Sequence, residues 1–149
     1  MIFIQIIASF VGVIAVSINF EVPKKYIPLV GIVGAVAWGT YLLCKYFNLP
    51  DIFSYFISTL AVAILSMIFS KLLNAVSTIF LIPGILPTVP GIAMYKMVYY
   101  LINNNPSEAT YYLLQAILIT AGIALAIFIT ESIKSVKIIR KEQINENKI

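Results

Sequence analysis

The residues best placed to do chemistry gather around one Pro/Gly cluster, Ile82-Pro-Gly-Ile-Leu-Pro-Thr-Val-Pro-Gly91, and just beyond it at Tyr95 and Lys96. Three prolines and two glycines fall within ten residues of an otherwise apolar stretch. Proline removes a helical hydrogen bond and clashes with the preceding turn, and glycine adds backbone freedom, so a continuous helix through Pro83, Gly84, Pro87, Pro90 and Gly91 is not expected. Short helical pieces over 74–81 and 91–102 flank the cluster. A half-helix beginning at Gly91 would turn its free N–H groups and positive dipole end toward the break, an arrangement that suits a carboxylate or other anion. Thr88 could add a hydroxyl from the unwound segment, and Tyr95 an amphipathic one. Lys96 is the basic residue set well inside an apolar stretch. It either faces a pathway or snorkels toward an interface.

Other chemistries lack their residues. The chain has no histidine and a single cysteine, Cys44, which excludes an internal disulfide, His/Cys metal sites and His-based catalysis. Cys44 reads as a small apolar residue near a helix end. No apolar stretch holds paired acids or a serine with an evident base, so an intramembrane enzyme is a poor reading. No phosphate-binding Gly-x-x-x-x-Gly-Lys-Ser/Thr motif occurs, and no metal or other cofactor is expected. Glu131, three residues before Lys134, is accounted for by a helix-surface pair.

The elements that must position these residues are apolar helices. The sequence is 61% hydrophobic and 11% charged, too little polar surface for a soluble domain of this size. Stretches of about 18 or more apolar residues can cross a hydrocarbon core of roughly 30 Å. The fold class expected is therefore all-α, a polytopic membrane protein with about five spans near 2–20, 27–46, 52–70, 72–102 and 111–133, the fourth broken by the Pro/Gly motif. A basic tail, 134–149, follows and is expected to fray after its first turns. The uncharged start, without a basic n-region, reads as a retained helix rather than a secretory signal.

The placement of charge orients the spans. With the N-terminus outside, Lys24, Lys25, Lys71, Lys134, Lys137, Arg140, Lys141 and Lys148 fall inside, and only Lys45 lies in an outer loop. Tyr41, Tyr46, Tyr55, Tyr99, Tyr100, Tyr111 and Tyr112 cluster near the outer ends as an interfacial belt. The basic residues thus set topology and do not indicate a nucleic-acid partner. In the second span Gly31, Ala35 and Gly39, with Gly34 beside them, form a small-residue stripe that admits a close helix, from this chain or from a partner. Trp38, near the middle of that span, is expected to be packed.

Two placements of the break are open. One is an ordinary inner loop, with the fourth span beginning near Gly84. The favoured one is a discontinuous span unwound near its middle. Open backbone at membrane depth is tolerated where protein or a wet cavity supplies hydrogen-bond partners, and transporters build substrate sites from such helices.

The segment Phe80-Leu-Ile-Pro-Gly-Ile-Leu-Pro-Thr-Val-Pro-Gly-Ile-Ala-Met-Tyr95 resembles the signature of the threonine/serine exporter family, in the C-terminal half of its long members or the separately encoded small subunit of split ones. Phe20-Glu-Val-Pro-Lys-Lys25, Gly34, Trp38-Gly39 and Ala121-Gly122 have counterparts too, so the resemblance covers nearly the whole chain. A basic residue after the tyrosine is frequent in the family, and Lys96 matches. Members often carry a proline in the stretch matching 74–78; this chain has none, which bears on how the first half-helix is entered.

The resemblance implies a secondary transporter in a bacterial plasma membrane that exports small carboxylate-bearing metabolites, amino acids such as threonine and serine or dicarboxylates. It further implies a larger membrane subunit of the same family as partner, which would supply the gradient-coupling carboxylates that are scarce here. Pro83, Gly84, Pro87, Thr88, Pro90, Gly91, Tyr95 and Lys96 are the expected substrate-binding set. The alternative from another class is a non-transporting scaffold that stabilises the partner, which would have no need of unwound backbone. Homo-oligomerisation stays open, although no pore-lining polar face is evident.

Overall fold

The computed structural model describes the backbone of residues 2–146 and the side chains through Ser135. The described residues form six α-helices: α1 (Ile2–Asn19), α2 (Ile27–Tyr46), α3 (Asp51–Leu73), α4 (Thr78–Gly84), α5 (Gly91–Ile102) and α6 (Pro106–Glu146), with a short 3-10 turn at Leu86–Thr88. Four of them, α1, α2, α3 and α6, are long and apolar enough to cross a membrane, and α4 and α5 supply a fifth crossing as a broken span bent by 44°. The chain is a multi-pass helical membrane protein with its fourth span discontinuous.

The turns follow from local chemistry. Asn48, Asn74 and Asn104, just past the ends of α2, α3 and α5, take positive φ values of 56°, 47° and 52°. Asparagine tolerates this left-handed conformation better than other residues with a Cβ, and it stops a helix there. At Asn74 the Ala75 N–H donates to Ser70 O at 3.0 Å, and Ser70 Oγ donates to Ala75 O at 2.5 Å. A left-handed asparagine and a serine thus turn the chain into α4. The helix α4 starts at Thr78 and runs through Pro83 and Gly84, so the unwound stretch is 85–90, shorter and later than the sequence suggests. The last helix, α6, runs from the span into the tail as far as Glu146.

Packing runs in the order α1, α2, α3, α6, α5, with α4 inserted between α2 and α3 and touching α1. Small residues permit this. A Cβ on Gly31 would come within 2.8 Å of Phe10 Cε2 and Ile14 Cγ1, and one on Gly34 would strike Val13. The small-residue stripe of α2 therefore packs on α1 of the same chain. Ser9 Oγ seals that contact by donating to Gly34 O at 2.8 Å, and Ser58 Oγ joins α3 to α2 by donating to Ala37 O at 2.5 Å. The main core comprises Val13, Val30, Val33, Ala37, Val62 and Phe80, with Phe80 fully buried between the rings of Tyr26 and Phe69 at centroid distances of 5.4 and 5.8 Å. A smaller core, Tyr55, Ile119 and Ile123, joins α3 to α6. Trp38 is half-buried, donating Nε1–H to Gln5 Oε1 at 3.3 Å with its ring against Tyr41, and Cys44 is buried as a free thiol.

Candidate functional site

The break divides the fourth span into two unequal environments. Its first half is core. Phe80, Leu81, Pro83 and Gly84 are buried, and a Cβ on Gly84 would lie 2.5 Å from Val33 Cγ1 and 3.2 Å from Val62 Cγ1. Gly84 thus lets α4 wedge between α2 and α3. Its second half, α5, packs on α6 and leaves most of its residues outside the core.

Thr88 ends the 3-10 turn with its side chain fully buried. Its Oγ1 donates to Ile85 O at 2.6 Å and lies 3.4 Å from Thr59 Oγ1, which itself donates to Tyr55 O at 2.9 Å. Ile85 O also accepts the Thr88 N–H at 2.8 Å, so the hydroxyl adds a second bond to that carbonyl and braces the turn from inside. At Val89 the chain becomes extended, and α5 begins after Pro90 without any side-chain cap. The Gly91 N–H donates to Val89 O at 2.7 Å and the Met94 N–H to Pro90 O at 3.1 Å. The amides of Ile92 and Ala93, between them, have no partner among the described residues.

Next to this amide end lies a polar cavity of about 300 Å³, lined by the second half of α2, the start of α3, and α5 and α6. Pro90, Ala93 and Lys96, spaced three residues apart on one face of α5, form one wall; Asp51, Tyr55, Tyr112 and Gln115 form much of the rest. Lys96 Nζ sits 4.9 Å from the centroid of the Tyr112 ring, and that ring stacks on Tyr100 at 5.5 Å. Among the described residues no carboxylate pairs with Lys96. Asp51 is engaged on both oxygens: Oδ1 meets Lys45 Nζ at 2.9 Å, and Oδ2 accepts a hydrogen bond from Gln115 Nε2 at 3.1 Å. Tyr41 and Tyr55 stack at 4.7 Å beside it. The cavity thus offers a cation without a counter-ion, uncapped amides and phenolic hydroxyls, a set of donors that suits an anionic group.

Of the eight residues expected from sequence, Pro90 and Lys96 line this cavity. Gly84 and Thr88 lie in the core behind the break. Pro83 borders a separate groove with Phe20, Glu21 and Thr78, and Pro87 borders an apolar groove along α1. Gly91 is exposed with nothing within 4 Å of a Cβ built on it, and Tyr95 points outward, 69% exposed, against Tyr99. Sequence reasoning passed over Asp51, Tyr112 and Gln115. Gln115 did carry a signal as a lone amide in an apolar span, whereas Asp51 and Tyr112 looked like ordinary end-of-span residues. Glu131 pairs with Lys134 at 3.2 Å, the helix-surface contact expected of it.

No solved structure matches this chain. The family model described as Threonine/Serine exporter, ThrE, matches residues 5–133, a stretch that contains the break and every side chain lining the cavity.

Proposed function

The chain belongs to the threonine/serine exporter family, and from that membership we propose that it is the small subunit of a split exporter, acting with a larger membrane subunit of the same family. It moves small carboxylate-bearing metabolites, amino acids such as threonine and serine or dicarboxylates, out across a bacterial plasma membrane. The N-terminus lies outside and the basic tail in the cytoplasm, as the lysine distribution favours. The substrate carboxylate sits at Lys96 and the amide end of α5, beside Pro90 and Gly91, on a break that Pro87 and Thr88 shape; Pro83 and Gly84 seat α4 behind it, and Tyr95 lies on the outward side of α5. The observation that carries this reading is that a lysine without a carboxylate partner among the described residues lines one polar cavity with Ile92 and Ala93, the residues of the uncapped helix start, at a discontinuous span.

Efflux from cells expressing this chain with its partner, with membrane abundance measured in parallel, tests the reading. A charge-assisted hydrogen bond contributes about 1.5–3 kcal/mol, so Lys96→Met should slow export by about tenfold or more at unchanged abundance. Lys96→Arg should retain part of the rate. Full export by Lys96→Met, together with break-proline variants that lower abundance alone, would establish the scaffold reading instead.

A further inference from the structure

The cavity has a second side. Among the described residues Asp51 is the one acidic side chain lining it, and it stands with Gln115 apart from the Pro90–Ala93–Lys96 face of α5. A carboxylate has about four lone-pair positions, and Lys45 and Gln115 occupy two. Lys45 approaches from outside the cavity, with 41% of its side chain exposed, so this is a half-solvated ion pair of the kind that contributes little and yields readily to a competing cation. Gln115 spends an N–H on Asp51, which leaves its amide oxygen as a further acceptor in the cavity wall. One face therefore donates hydrogen bonds and carries positive charge, and the other accepts them and carries negative charge.

We infer that Asp51, held by Gln115, is the specificity-determining residue of this cavity, receiving the ammonium group of an α-amino acid whose carboxylate lies toward Lys96. The inference rests on the transport reading above and narrows its substrate class. A zwitterion matches both faces at once. A dicarboxylate placed at Lys96 would turn its second carboxylate toward Asp51, where like charges repel at short range and the accepting groups find no donor.

Uptake into inside-out membrane vesicles prepared from the native host, comparing labelled threonine with a labelled four-carbon dicarboxylate, tests this. Asp51→Asn, nearly equal in shape, should lower the threonine-to-dicarboxylate ratio by at least tenfold, and Asp51→Glu should keep most of it. An unchanged ratio in Asp51→Asn overturns the assignment and leaves the transport reading intact. Wild-type vesicles that take up neither compound overturn both. Competition in the wild type needs no variant to fold: unlabelled serine should displace labelled threonine, and N-acetylthreonine, which lacks the ammonium, should do so at least tenfold less well. Equal displacement would also overturn the assignment.

Discussion

The ammonium of Lys134 donates to the hydroxyl of Ser77 at 2.6 Å and also meets Glu131 at 3.2 Å. One side chain near the end of the α6 span thereby holds the buried serine that precedes α4. The broken span is anchored at its start by a contact across 57 residues of sequence.

Removing that anchor should loosen the start of α4. A hydrogen bond to a charged partner contributes about 1.5–3 kcal/mol, less where the lysine is partly exposed. Ser77→Ala and Lys134→Met should each lower the melting temperature in detergent, and the double variant should cost less than their sum. Strict additivity would show that the contact contributes nothing.

The two glycines of the motif should behave oppositely. Gly84→Ala drives a methyl into Val33 and should destabilise by about 1–3 kcal/mol. Gly91→Ala meets open space at a backbone angle that L-residues adopt freely, so its stability should stay within about 0.5 kcal/mol of wild type. Thermal unfolding of both in one detergent checks the contrast.

The α1–α2 contact should show compensation. Gly34→Ala alone clashes with Val13, whose Cγ2 and Cβ would both lie within 2.7 Å of the new methyl, whereas Gly34→Ala with Val13→Gly removes every obstructing atom and should recover part of the loss. A double variant less stable than Gly34→Ala would contradict the packing described.

Thr88 should matter through its proton. Thr88→Val keeps the volume and removes the hydroxyl donor, leaving Ile85 O with the Thr88 N–H alone, and should cost about 0.5–1.5 kcal/mol, while Thr88→Ser should restore most of it. Equal melting temperatures for the valine and serine variants would remove the hydroxyl from the account.

Much of the helical layout was legible because apolar span length and turn chemistry are local properties. The bounds of α2, Ile27–Tyr46, coincide with the expected 27–46, and Pro87 and Pro90 mark the unwound stretch. The partners of the break were not legible. Pro83 and Gly84 read as breakers by propensity, yet α4 absorbs both, since Gly84 allows close contact with Val33 and Val62 and that burial outweighs the local penalty. The cavity was half legible. Lys96 stood out as a charge inside a span, but its opposing groups, Asp51 and Gln115, lie 64 residues apart in sequence and meet only because α3 packs on α6. Periodicity within one helix carries no information about such a pairing.

The one-sided attachment of α5 has a mechanical meaning. It is an arm about 18 Å long, rooted in the six-residue stretch 85–90, braced along one flank by α6 and tied to it at the far end by the turn 103–105, so that the two helices swing together. A rotation of about 10° at that root would carry Lys96 by about 1 Å and the far end by about 3 Å. The cation would then shift by less than a hydrogen-bond length while the tyrosine rim at 99 and 100 moved farther. A load applied to the exposed flank at Tyr95 and Tyr99 would thus reach the Lys96 wall with reduced amplitude.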